Sequence, residues 1–278
     1  MQIVNGTQIA GEIKDKLKKQ NHDAGISPCL AIILVGDSEE SSLYVGLKQK
    51  ASVAIGGKTE IIKLPGEITR EDLLAQINDL NNNSGIDGIL VQLPLPGGLS
   101  EYQDEVLQAI KPSKDVDGFN PRNRGLLMGG EPDFISCAAL ACMDIIDRTL
   151  PELKGLKATL VGNSFDVIQP LSIILNRKSC IVTVIPDYDP KYAQDSDIVV
   201  IEKGSPLVAR GEDFKDGALI IDAGFHWHNN KTCGNVDRDS VEQVSGWLLP
   251  VPGGMGPILI AKLMENLCLA ARRSKYSD

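Results

Sequence analysis

The chain has 278 residues, 42% of them apolar and 23% charged, and carries a formal net charge of −9. That length holds one large or two ordinary domains with full cores, and that apolar content excludes a disordered chain. The acidic balance argues against nucleic-acid binding, which draws on a basic stripe to release counterions from phosphates.

Residues 1–10 include Gln2, Asn5 and Thr7 and hold no apolar run of signal-peptide length. The basic runs at 14–19 and 272–275 read as solvated helix surface or tail. Residues 30–35 read as a buried strand closed by the turn Gly36-Asp37. Residues 38–55 then read as a helix, with Leu43, Leu47 and Ala51 on its apolar stripe. Lys58–Leu64 reads as a second strand closed by Pro65-Gly66. Thr69 ahead of Arg70-Glu71-Asp72 marks a helix start, with Leu73, Leu74, Ile77 and Leu80 as the apolar face. Gly88–Val91 is a third short strand, stopped by Pro94 and Pro96. A helix over 101–110 and a tight loop over 115–118 follow.

The second half repeats the rhythm. Helices over 138–150 and 168–176 accompany strands over 158–162, Ile181–Ile185, 197–201 and Ala218–Asp222. This alternation predicts an α/β protein with parallel sheets and crossover helices. The Pro/Gly-rich stretch 112–132 reads as the boundary between halves, and 250–257 as a second hinge. The last helix, over 258–272, is expected to pack back on the first half.

No apolar stretch approaches the ~20 residues of a membrane span. The six cysteines, at 29, 137, 142, 180, 233 and 268, include no CxxC pair and suit the reduced thiols of a cytoplasmic protein. His226 and His228 flank Trp227 and would share one face of a strand. Without Cys or His neighbours they predict no metal site.

Tyr44 and Lys48 stand four apart, so a helix puts them on one face. Their helix follows one strand, and Gln92 lies just past the carboxyl end of another. Ligands collect at that end of open α/β sheets. Asp117 sits in a loop tight enough to need Gly118.

Four stretches carry a family resemblance. Ser42-Leu43-Tyr44-Val45 with Lys48 and Lys50 resembles the S-x-Y-V-x-x-K-x-K motif of the bifunctional methylenetetrahydrofolate dehydrogenase/methenyltetrahydrofolate cyclohydrolase family. Residues 87–96 read DGILVQLPLP, residues 114–119 KDVDGF and residues 250–257 PVPGGMGP, each similar to a segment of that family and in its order. The resemblance implies a general acid/base at Lys48, a folate-orienting Tyr44, a Gln92 that tunes Lys48, and a pterin-anchoring Asp117. It adds Val91, Leu93, Pro252, Gly253 and Gly254 as folate contacts. The chemistry agrees with those roles. A cationic methenyl bridge attacked by water calls for a base, and a lysine supplies one only if its ammonium is destabilised. A carboxylate accepts from the pterin's paired N–H donors.

The resemblance also implies an NADP or NAD site at Gly162, Asn163, Ser164, Asp187 and Phe225, and there the pattern breaks. Where the family has V-G-R-S-x-x-V-G-x-P, residues 161–170 read VGNSFDVIQP. An arginine is replaced by Asn163 and a glycine by Ile168, which is expected to crowd the helix entry. Asp187 falls in the segment where the family has H-S-x-T; its carboxylate would repel a 2′-phosphate yet accept from the ribose hydroxyls of NAD. Residues 136–141, 202–206, 234–237 and Leu259 depart as well. Neutral drift within a working dehydrogenase is the bland reading; loss of NADP preference, or of cofactor binding altogether, fits better because the changes converge on one site.

The resulting expectation is two α/β domains flanking a cleft, 1–118 with 258–278 for folate and 119–257 of Rossmann type for the nucleotide. The activity expected is one-carbon tetrahydrofolate interconversion by a homodimer, with the cyclohydrolase part best supported. The rivals are a cyclohydrolase-only enzyme, a folate-binding protein without turnover, and a shikimate-type dehydrogenase.

Overall fold

A computed structural model describes residues 1–276. In chain order the elements begin β1 (Gln2–Ile3), α1 (Gly6–Ala24), β2 (Cys29–Val35), α2 (Glu39–Ala54), β3 (Lys58–Leu64), α3 (Arg70–Asn82) and β4 (Gly88–Val91). Then come α4 (Gln103–Ala109), α5 (Pro121–Gly129), α6 (Cys137–Thr149), β5 (Lys157–Val161), α7 (Ile168–Arg177) and β6 (Ile181–Ile185). The chain continues through α8 (Pro190–Ala193), β7 (Ile198–Ile201), β8 (Ala218–Asp222), β9 (His226–His228), β10 (Lys231–Cys233), β11 (Gly246–Leu249) and α9 (Met255–Tyr276). They form two compact units: Met1–Ala10 with Ala138–Leu259, and Gly11–Cys137 with the chain from Ile260 onward.

The second of these units is built on a parallel sheet in the order β3-β2-β4. β2 is buried along its whole length, as its unbroken apolar run requires. Thr69 caps α3 by accepting from the Asp72 N–H, and α3 closes the sheet through Leu73, Ile77 and Leu80. Each such side chain, taken fully out of water, contributes about 1.5–3 kcal/mol. The helix expected over 101–110 is a 3-10 turn, Gly97–Tyr102, running into α4.

Helix α2 departs from the periodicity reading. Leu43 and Leu47, expected on its apolar stripe, are 64% and 41% exposed. The buried face is Ser41, Val45, Lys48, Ala51 and Ser52. Polar groups go inward because they find partners there: Lys48 on Gln92, and the Ser52 hydroxyl on the Lys58 carbonyl. Counting apolar residues assumes that a helix hides its apolar side. This one hides a lysine.

The other unit holds a six-stranded parallel sheet in the order β1-β11-β8-β7-β5-β6, the Rossmann-type arrangement expected. Its order reverses at β5, from which the chain goes to β6 on one side and to β7 on the other. The strands β1 and β11 and the antiparallel hairpin β9–β10 had no sequence signal, being short and carrying polar or glycine residues.

The division of the chain differs from the expected one. Residues 119–137 stay with the three-stranded unit, where the Asn120 side chain donates to the Ile110 carbonyl and Asn123 to Asp115. The first ten residues join the other unit because β1 adds to β11. Along α9, Cys268 and Asn266 bond to Asn21 and to the Val116 carbonyl, which ties the later part of that helix to the three-stranded unit.

Candidate functional site

The order of the three-stranded sheet reverses at β2, and the ligand end of such a sheet is where its strands finish. Helix α2 follows β2, and Gln92 is the first residue past β4. Lys48 is 8% exposed, and its Nζ donates to Gln92 Oε1 at 3.0 Å. Gln92 Nε2 donates in turn to the Leu93 carbonyl at 2.8 Å, which turns the amide oxygen toward the lysine. Lys48 therefore rests on a neutral acceptor. Tyr44 stands one turn earlier on α2, 36% exposed, while Val91 is buried at the end of β4.

Asp117 is half-buried in a loop pinned on both sides. Asp115 accepts from the Phe119 and Asn120 amides at 3.1 and 2.8 Å and from Asn123 Nδ2 at 2.9 Å. The Val116 carbonyl takes Asn266 Nδ2 at 2.9 Å and the Cys137 thiol at 3.3 Å. Gly118 has φ +75°, and a Cβ on it would lie 2.5 Å from the Ser136 amide nitrogen, so only glycine serves. Burial pushes the Asp115 carboxyl up to about 7, a range useful for proton transfer. Its oxygens are nonetheless spent on three donors and it is 1% exposed, so it holds the loop.

Cys137, the first residue of α6, is buried in the same unit. Burial chiefly pushes its thiol well up; the Asp117 carboxylate pushes the same way and the Lys48 ammonium the other way. Lys48 and Asp117 thus act on one buried sulfur. Pro252, Gly253 and Gly254 lie in the turn before α9, in the other unit. Pro252 and Gly253 are exposed there, and Gly254 is buried.

In that other unit the ends of β5 and β7 form the reversal point of the sheet. Gly162 follows β5 with φ +132°, and Glu202 follows β7. Glu202 Oε2 lies 2.5 Å from where a Cβ on Gly162 would be. Burial pushes the Glu202 carboxyl up, and Ser164 beside it pulls the other way. Ser164 Oγ accepts from the Val167 and Ile168 amides at 3.2 Å each. Asn163 is exposed, its carbonyl taking Gln169 Nε2 at 3.0 Å. Ile168 is wholly buried, its Cγ1 3.2 Å from the same empty Cβ position on Gly162.

Past β6, Asp187 pairs with Lys203 at 3.0 Å, both largely exposed. Phe225, past β8, is 61% exposed. Asn235, counted above among the departures, has a structural account. Its Nδ2 donates to the Ile201 carbonyl at 3.0 Å and its Oδ1 takes His226 Nε2 at 2.9 Å, two roles no carboxylate fills together.

The backbone of this unit fits a dinucleotide: a bare glycine after β5, a helix start behind it, and a carboxylate past the neighbouring strand for ribose hydroxyls. The lining charge is less usual, since residues 161–170 contain no Lys or Arg. Sequence reasoning missed Asp115, Asn266, Asp166 and Glu202. Asp115 lay within KDVDGF, Asp166 within the altered stretch 161–170 and Glu202 within the departing 202–206, whereas Asn266 had no signal.

Comparison with known proteins agrees with both halves. A family profile described as the catalytic domain of tetrahydrofolate dehydrogenase/cyclohydrolase matches residues 4–117, and its NAD(P)-binding domain matches 136–275. The chain is 53% identical over 277 residues to bifunctional protein FolD 1 of Syntrophomonas wolfei, covering 99% of this chain and all of that one. Among solved structures, the bifunctional FolD enzyme of Campylobacter jejuni superposes with a TM-score of 0.92 at 36% identity, over 98% of this chain and 99% of that one. The Trypanosoma brucei enzyme, complexed with NADP cofactor and inhibitor, gives 0.91 at 30% identity, over 99% and 98%.

Proposed function

The chain belongs to the tetrahydrofolate dehydrogenase/cyclohydrolase family, and from that premise we propose that Lys48 moves the proton in its folate half, supported by Gln92, Tyr44 and Asp117. The activity is interconversion of one-carbon tetrahydrofolates, as methylenetetrahydrofolate dehydrogenase and methenyltetrahydrofolate cyclohydrolase. The observation that carries the assignment is the buried Lys48 Nζ, 3.0 Å from Gln92 Oε1 at the ligand end of β4.

In the hydrolytic step water adds to the methenyl carbon, and Lys48 takes a proton from that water as the C–O bond forms. The adduct then breaks its C–N5 bond, N5 receives a proton, and 10-formyltetrahydrofolate leaves with one proton released overall. Tyr44 orients the substrate and Asp117 accepts from the pterin's N–H donors. Val91 and Leu93 complete the folate contacts of this unit. For the oxidative step the nicotinamide dinucleotide, when bound, supplies the hydride acceptor. Gly162, Asn163, Ser164, Asp187 and Phe225 would hold it. Gly11–Cys137 with the later part of α9 is the folate half, and Met1–Ala10 with Ala138–Leu259 the nucleotide half.

The test follows both activities on one sample, with NAD and NADP side by side. Hydrolysis is expected without nucleotide, and oxidation with NAD at least as well as with NADP. A preparation that never hydrolyses methenyltetrahydrofolate would overturn the assignment. Asp187 sets the nucleotide expectation, but Lys203 beside it moderates the charge that the sequence alone suggested. Asp187→Asn is therefore expected to improve NADP affinity only about tenfold, with NAD unchanged or weaker. An equal gain for both nucleotides would place the effect away from the 2′ position.

A homodimer fits the open edge at β6, where Ile181 and Val184 are 58% and 49% exposed. Val184→Lys is expected to shift sedimentation toward the monomer; an unchanged dimer would put the interface elsewhere. Six free cysteines suit a reducing cytoplasm. No helix among the described residues is long and apolar enough to cross a membrane.

A further inference from the structure

The chain leaves β5, β6, β7 and β8 through the stretches 162–167, 186–189, 202–206 and 223–225, at the ligand end of the sheet. Together these stretches carry Asp166, Asp187, Asp189 and Glu202, and Lys203 is their one lysine or arginine. A dinucleotide brings a pyrophosphate to this end, and NADP adds a phosphate at the adenosine ribose. What NADP finds there depends on where Lys203 stands.

Lys203 is the second residue past β7, and Asp187 the second past β6. Those two strands flank β5, so the ion pair spans the end of β5, with Lys203 Nζ 3.0 Å from Asp187 Oδ1. In this kind of sheet the carboxylate that accepts from the ribose hydroxyls follows the strand after the glycine turn, here β6. Asp187 holds that place. An ammonium bonded to this carboxylate is within reach of a phosphate carried on the same hydroxyl.

Lys203 can also change partner at little cost. Its side chain is 53% exposed and that of Asp187 72%, and pairs so open to water are weakly held. A phosphate dianion offers it two charges and three acceptor oxygens, against the single charge of a carboxylate. The nearby alternatives are engaged elsewhere. The Tyr188 hydroxyl donates to Asp213 Oδ2 at 2.9 Å, and Lys191 lies 4.0 Å from Asp189 and 4.6 Å from the centre of the Tyr192 ring.

We propose that Lys203 is the specificity-determining residue for the 2′ group of the cofactor. It leaves Asp187 to pair with the 2′-phosphate of NADP, whereas Asp187 accepts from the free hydroxyl of NAD, so one site takes both nucleotides. The inference rests on the NAD(P)-binding reading of this unit and concerns which side chain meets the 2′ position.

The experiment is calorimetric titration of the full chain with NAD and with NADP, for wild type, Lys203→Met and Lys203→Arg. Wild type is expected to bind both nucleotides. Lys203→Met should weaken NADP about tenfold and leave NAD within about twofold or tighter, since Asp187 is then free for the ribose. Lys203→Arg keeps the cation and should hold NADP within about threefold of wild type. Thermal melting checks that both variants fold, as the exposure of the side chain leads one to expect. Equal losses for the two nucleotides would place Lys203 on the pyrophosphate and overturn the proposal. So would unchanged NADP affinity in Lys203→Met, or a wild type that binds NAD and not NADP. Failure of every folded protein to bind either nucleotide would overturn the dinucleotide reading together with it.

Discussion

Replacing Lys48 with methionine is expected to lower hydrolysis of methenyltetrahydrofolate by about 10²–10⁴-fold while folate binding survives. The side chain is 8% exposed and reaches Gln92 through a single bond, so an apolar chain of similar length keeps the packing and removes only the proton carrier. Gln92 Oε1 loses its donor, at a cost of roughly 1–3 kcal/mol if no water replaces it. That lowers the melting temperature without accounting for loss of turnover. Lys48→Arg should fail almost as badly, since a guanidinium does not give up its proton near neutrality. The measurement sets turnover beside the dissociation constant of an unreactive folate analogue. A variant that hydrolyses at near-normal rate would remove Lys48 from the chemistry. One that loses binding and turnover in proportion would make it a ligand contact.

The folate half was legible because its chemistry is local in sequence. Tyr44 and Lys48 share a helix, Gln92 ends a short apolar strand, and Asp117 sits in a four-residue loop, so spacing and turn chemistry locate them. What spacing gave wrongly was the face of α2. The inward lysine and serines carry no apolar signal, and their partners Gln92 and Lys58 lie elsewhere in the sequence. The nucleotide half was legible as a fold from its strands, whereas its charge was not. Asp187 appeared alone in the sequence, but Lys203 faces it because β6 and β7 end near each other on either side of β5. Glu202 reaches Gly162 across the same ends, a meeting of residues some forty positions apart that no motif announces. Strand β1 escaped notice because two residues have no periodicity, although they carry the first ten residues into that unit.

Asp117→Ala is expected to weaken folate binding by about 10–150-fold, the loss of a charge-assisted hydrogen bond of roughly 1.5–3 kcal/mol, and to leave the fold nearly untouched. The reason for the second half is that other groups fasten the loop. Asp115 fastens the turn through three donors, Asn266 and Cys137 take the Val116 carbonyl, and Gly118 is pressed against the backbone at Ser136. Removing the Asp117 carboxylate leaves all of those in place. Asp115→Ala is the contrasting variant: it strands buried donors on Phe119, Asn120 and Asn123, and each unpaired group costs about 1–3 kcal/mol. That change should show first in the melting temperature. A second readout comes from Cys137, whose thiol the Asp117 carboxylate pushes up. Without that charge the sulfur ionises more readily, so its reaction with a small thiol reagent at high pH should quicken if local opening admits the reagent. Calorimetry with a folate analogue decides the main claim. Unchanged affinity in a folded Asp117→Ala protein would reduce the residue to part of the turn, and a fall in stability matching that of Asp115→Ala would show that it anchors the loop and not the pterin.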